Sequence, residues 1–193
     1  MIPLWIKICY TLFVILTAAV YTVKYGFGNF LWFSDIALFA TVPALWFESS
    51  LIASMMAIGI LLPELFWNVT YFGRLLTGRR LAGLTDYMFD AQKPLYLRAL
   101  SLFHVFLPVL LLWMIARLGY AKEAWLAQTA LAWIVLPLTY LLTDPDKNIN
   151  WVRGPGTKPQ KRLAPLVYLC LLMIVFSLLV YLPTHLLLQM LFS

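Results

Sequence analysis

Six apolar runs, each near 20 residues or longer, divide the chain, and polar stretches separate them. A helix rises 1.5 Å per residue, so about 20 apolar residues cross the ~30 Å hydrocarbon core of a bilayer. The runs cover 4–23, 29–47, 51–72, 95–118, 123–142 and 163–192. The pattern predicts an all-α fold: one polytopic membrane helix bundle over 1–193, with about six transmembrane helices and no sizeable water-soluble domain. The last run is long enough that it must tilt or break near Pro183. Of the two long polar stretches, 73–94 has the mixed pattern of an interfacial helix or re-entrant loop. The other, 143–162, is rich in Pro, Gly and Asn.

Composition agrees. The chain is 63% hydrophobic and 11% charged, with a mean hydropathy of +0.88. A soluble domain is about a quarter charged, and a chain this small could not hide so much apolar surface from water. Eight Trp and ten Tyr suit membrane interfaces. The net charge of +6 does not point to nucleic acid, because the basic residues are spread over short connections rather than gathered in one patch. Eleven of the 14 Lys and Arg residues fall in the first, third and fifth connections. The positive-inside rule then places both long loops in the cytoplasm and both termini on the non-cytoplasmic side of an inner (cytoplasmic) membrane. The first run lacks a small-residue cleavage site and is expected to be retained as a helix. Cys9 and Cys170 lie inside apolar runs and are expected to be buried thiols, with no CxxC or metal spacing.

Polar side chains within the runs are where chemistry would lie, since each is costly in lipid. Asp35, Glu64 and His104 fall roughly 9, 12 and 13 Å from the more basic face, so three ionisable groups on three helices share one layer. Asn68 is four residues from Glu64 and Ser101 three from His104, spacings that put each pair on one helix face. Pro63 and Pro108 each remove a backbone donor, freeing the carbonyls of Gly59 and His104, and a freed carbonyl in lipid needs a partner. Gln128 and His185 belong nearer the other face. One such residue alone is explained as well by helix glue as by function; three at one depth favour a pocket. One histidine with two carboxylates is a thin ligand set, and no second histidine shares the layer, so no metal, haem or other cofactor is expected. In the loops, Arg79, Arg80, Asn150, Trp151 and Arg153, with Asn68 just inside the membrane, form a candidate lipid-binding set, the arginines facing an anionic head group.

NFLWFSDIAL, YMFD followed by a proline, LSLFHVFLPVLLLW and NINWVRGPG, in that order, resemble a family of bacterial integral-membrane proteins of unassigned function, over nearly the whole chain. The chain is also faintly similar to a wider group that includes a transmembrane phospholipid acyltransferase, whose pattern joins a Cys early in one helix, a His in a later helix and an Asn-aromatic loop. His104 matches the histidine and Asn150-Trp151 the loop. The cysteine position falls near Ser34, a weaker nucleophile that needs an adjacent base.

The resemblance implies a lipid- or amphiphile-handling protein. In a catalytic version Ser34 attacks an ester, His104 is its base and Asp35 or Glu64 orients the imidazole. A proton-coupled small-solute carrier, using the same three ionisable groups, is one alternative. A non-catalytic accessory or assembly subunit, whose polar layer only sets helix packing, is another. The missing internal repeat argues against a carrier built from two related halves. No GxSxG, HExxH, P-loop or dinucleotide signature decides whether the protein is an enzyme. The partners expected are membrane lipids, with a second copy or a larger membrane complex as a further option, and no nucleic acid.

Overall fold

The computed structural model describes residues 1–156 and 158–192 and contains helices and no strand among them. Helix α1 (Leu4–Tyr25) ends at Gly26, whose φ of 77° a side chain would resist. A 3-10 turn, Phe27–Leu31, leads to α2 (Phe33–Trp46). Helix α3 (Ser50–Thr77) opens on Ser49, whose hydroxyl accepts from Ile52 N at 3.3 Å, and closes on left-handed Gly78. A second 3-10 turn, Gly83–Met88, precedes α4 (Leu95–Leu100) and α5 (Phe103–Leu118), which together make one 24-residue span. Helix α6 (Ala124–Leu142) follows. Last come α7 (Pro165–Val175) and α8 (Leu182–Phe192), joined through a π-helical turn, Phe176–Tyr181.

Five helices are long and apolar enough to cross a membrane: Leu4–Tyr25, Ser50–Thr77, Leu95–Leu118, Ala124–Leu142 and Pro165–Phe192. The chain is thus an all-α bundle with the character of a multi-pass membrane protein. The second expected span is shorter than its apolar run. Helix α2 has 14 residues and rises about 21 Å, because the chain before Phe33 is held in a 3-10 turn and an extended Trp32. The long last run stays helical without a break: the π turn sits just before Pro183, where wider winding relieves the clash of the proline ring with the preceding turn. The expected polar stretch from residue 73 starts later, since α3 stays helical to Thr77. Gly73 there leaves room for Leu81, whose Cδ1 would stand 2.5 Å from an added Cβ.

Helix α3 is central. Half of its apolar window is buried, against 22% for α1 and for Pro165–Phe192. Ala37, Ala44, Ala53 and Ala57 are buried on α2 and α3, small residues that let helix backbones approach closely. Polar connections gather at one end, the basic end: Lys147 Nζ donates to Tyr25 O at 3.2 Å, and Asn150 meets the start of α2. At the far end Lys7 Nζ and Ile2 N donate to Glu48 Oε1 at 2.8 and 3.0 Å. Cys9 and Cys170 are free and exposed, not buried: in a membrane bundle the outer face is the apolar one, and thiols in apolar runs face outward.

Candidate functional site

Glu64 projects from α3 and His104 from the first turn of α5. Both carboxylate oxygens lie within hydrogen-bond reach of His104 Nδ1, at 2.9 Å for Oε1 and 2.8 Å for Oε2. The Glu64 side chain is 4% accessible and that of His104 14%. Trp67 stacks on the imidazole with ring centroids 4.7 Å apart, and Phe103 stacks at 4.1 Å. Nε2 makes no hydrogen bond among the described residues, so one nitrogen is fixed and the other is not. Asn68 braces the pair. Its Nδ2 donates at 2.8 Å both to Glu64 O and to His104 O, the carbonyl that Pro108 deprives of its helical donor. The Asn68 amide nitrogen is therefore spent on backbone.

Asp35 lies on the first turn of α2, 3% exposed and within electrostatic range of Glu64. It does not touch His104; Glu64 alone orients the imidazole. Asp35 Oδ2 accepts from Asn29 Nδ2 at 2.9 Å, and Oδ1 is buried with no partner among the described residues. Ser34 is half-buried on the same turn and makes no hydrogen bond with His104 among the described residues.

Three hydroxyls complete the layer. Tyr21 Oη lies 3.1 Å from Ser101 Oγ, which itself donates to Leu97 O. Tyr87, in the second 3-10 turn, accepts from Trp67 Nε1 at 3.3 Å and faces Ser101 and Glu64. Burial raises the Tyr87 phenol well above its ordinary pKa, so it stays protonated. Ser101 lies in the turn between α4 and α5 rather than on one helix with His104, and neither tyrosine was singled out from sequence. Tyr21 had a usable signal: Tyr10, Val14, Thr17 and Tyr21 form a buried stripe at helical spacing. Tyr87 had none, lying in a turn without periodicity.

The loop residues divide. Arg79 is exposed. Arg80 is engaged by Asp86, its Nε 3.0 Å from Oδ1, and Arg74 Nη1 joins the same carboxylate at 2.7 Å. Asn150 spans the entry to α2: Oδ1 accepts from Phe33 N at 3.1 Å, and Nδ2 donates at 2.6 Å to Leu31 O in the preceding 3-10 turn. Asn148 Nδ2 donates to Gly154 O and Gly156 O, and its Oδ1 accepts from Arg153 N. The loop turns through left-handed Asn148, Asn150 and Trp151, a conformation that suits asparagine and strains tryptophan. Trp151 O accepts from Tyr168 Oη at 3.0 Å. Arg153 Nη2 donates to Tyr140 O at 2.7 Å and its guanidinium lies 4.3 Å over the Tyr140 ring, beside a cavity of about 100 Å³.

The arrangement resembles the base half of an acyl-transfer or hydrolytic site: a carboxylate sets the ring and tautomer of a histidine whose second nitrogen can take or give a proton. Among the described residues no three His, Cys, Asp or Glu side chains gather as a metal ligand set. No protein-family model matches the chain, and neither the curated proteins nor the solved structures compared with it include a significant match.

Proposed function

We propose that the protein handles a membrane amphiphile at the Glu64–His104 pair, with His104 Nε2 as the proton acceptor and donor. The observation that carries this reading is the grip of Glu64 on Nδ1 beside an Nε2 with no hydrogen bond among the described residues. Its position within a helix bundle makes a lipid ester the natural substrate, and acyl transfer the reaction class to test first. Histidine would deprotonate the attacking hydroxyl, of Ser34 or of the acceptor itself, and return the proton to the leaving alcohol. Ser34 would have to move to reach Nε2. The basic end would face the cytoplasm, by the positive-inside rule, with the inner membrane of a bacterium as the setting. Arg79 would offer an exposed charge to an anionic head group.

Labelled phospholipids in proteoliposomes test the reading. Acyl release or exchange is expected for the native chain and lost in His104→Ala and Glu64→Gln. Turnover unchanged in both would sink it. Ser34→Ala then separates a covalent route, in which turnover disappears, from direct transfer, in which it persists.

A proton-coupled carrier is favoured by a different observation, the unpartnered Asp35 Oδ1 buried in range of Glu64. Intramembrane carboxylates in such settings serve proton relays. Solute uptake driven by a pH gradient and abolished by Asp35→Asn would support it.

A further inference from the structure

A second polar feature lies at the basic end, outside the His104 layer. The cavity of about 100 Å³ beside Arg153 is walled by Tyr140 near the end of α6, by Pro145 and Gln160 of the 143–162 loop, and by Pro165 and Tyr168 at the start of α7. A water takes about 30 Å³ of liquid, so the space holds about three waters or one small anionic group. Its lining includes neither Glu64 nor His104.

The loop holds Arg153 in place from both sides. Asn148 Oδ1 accepts from Arg153 N at 2.9 Å, and Gln160 N donates to Arg153 O at 2.8 Å. Gly154 lets the chain return this closely: an added Cβ would lie 2.5 Å from Gln160 N. The Tyr140 ring, 4.3 Å from the guanidinium carbon, fixes the plane of the group. A guanidinium carries five N–H donors. Among the described residues only Nη2 is engaged, by Tyr140 O; Nη1 has no partner, Nε is buried without one, and no carboxylate pairs with the group. Lys7, Arg74 and Arg80, by contrast, are matched to Glu48 and Asp86. Capping the end of α6 would use a single donor. A half-buried, stacked guanidinium with its fork open has the shape that pairs with phosphate.

The surroundings narrow the ligand. Lys158, Lys161 and Arg162 are exposed beside Gln160, while Asp144 and Asp146 are exposed beside Pro145, so with Arg153 four cations stand against two carboxylates. Asp144 Oδ1 is turned into its own loop, where it accepts from Asp146 N. Leu141 and Leu142 at the end of α6, and Leu163, Leu166 and Val167 around the start of α7, are all exposed apolar residues next to this charge. Cations meeting bare apolar helix ends match a lipid phosphate at the edge of the hydrocarbon. We propose that the Arg153 cavity binds the phosphate of an anionic phospholipid, whose acyl chains lie along the exposed ends of α6 and α7. Nη1 and the second N–H of Nη2 donate to two phosphate oxygens. The loop that holds the entry to α2 through Asn150 is thereby tied to the lipid surface. The site does not depend on turnover at His104.

Native mass spectrometry of the full chain, released from detergent with phosphatidylglycerol or with phosphatidylcholine of the same acyl chains, reads this site. The native protein is expected to retain phosphatidylglycerol about tenfold more tightly. Arg153→Lys keeps the charge and loses the fork, and should weaken that retention by about tenfold, the worth of one charge-assisted hydrogen bond. Arg153→Gln should abolish the preference between the two lipids. Arg117→Gln, which removes the same charge at the end of α5, should leave retention native. Inorganic phosphate carries the charge without the chains and should not displace the lipid. Glu64→Gln should lose turnover and keep the lipid, so failure here and failure of the Glu64–His104 chemistry are read apart. Equal retention of the two lipids by the native chain, native retention in Arg153→Lys, or displacement of the lipid by inorganic phosphate overturns the proposal.

Discussion

Two buried polar regions meet at the basic end, and they manage their hydrogen bonds in opposite ways. In the 148–156 loop, the amides of Asn148 and Asn150 are matched to backbone groups, and the loop thereby caps α2 across 117 positions of sequence. In the neighbouring layer, Asp35 keeps an unmatched oxygen and His104 an open nitrogen. A matched network rigidifies a fold, whereas polar atoms left unmatched in a membrane interior cost stability and persist where they are used. The loop is scaffold, and the layer is where the proposed chemistry would lie.

Glu64→Gln breaks this comparison at its most sensitive point. It keeps the shape and removes the carboxylate that orients His104. Turnover of the proposed lipid substrate should fall by about 10²–10⁴-fold, the usual worth of a positioned acid–base group, with helix content unchanged by circular dichroism. The opposite signature is expected for Asn150→Leu. Phe33 N and Leu31 O lose their partners, so unfolding in mixed detergent should ease by about 2–4 kcal/mol, while turnover per folded molecule stays near native. If instead Asn150→Leu kept native stability and lost turnover, the loop would belong to the site.

Asp35→Asn sharpens the contrast from the other side. It replaces a half-matched buried carboxylate with a neutral amide, so stability should rise by about 1 kcal/mol, read as a higher thermal midpoint. A fall of similar size would mean that Asp35 is glue. The smallest effect lies at the far end. Lys7 and the Ile2 amide hold the Glu48 carboxyl below its ordinary value of 4.5. Its contribution is present above that value and lost as pH falls through the lower folded one. The thermal midpoint should therefore drop slightly below pH 4.5, and Glu48→Gln should remove that part of the acid slope.

That a carboxylate lies level with His104 was legible, because depth along a helix is a simple count of residues from a membrane face; that Glu64 and not Asp35 takes the imidazole was not. The partner of the His104 carbonyl was legible as a need, since Pro108 removes its donor; Asn68 meets that need from one turn beyond Glu64. The late start of α2 was not. It depends on Asn150 reaching Phe33 from a distant loop, a contact that no local window contains. Asn150 and Trp151 stood out for the right reason, polarity beyond what a connector needs, but their hydrogen bonds serve the scaffold. The π turn was legible only as a long run that had to adjust near Pro183. Ser34 carries the largest gap between expectation and geometry, because adjacency to Asp35 in sequence turns it about 100° away around the helix.

The shortness of α2 has an electrical consequence. From Trp46 to Asp35 is 11 residues, about 17 Å of helix rise, little more than half of a ~30 Å core. The remainder is bridged by a 3-10 turn and a polar loop rather than by apolar helix. A charge on Asp35 therefore sits partway down the transmembrane voltage, where a full crossing is worth about 2.3 kcal/mol per 100 mV. An energised membrane would shift the protonation of this layer without any change in bulk pH, making the site responsive to the metabolic state of the cell through the voltage alone.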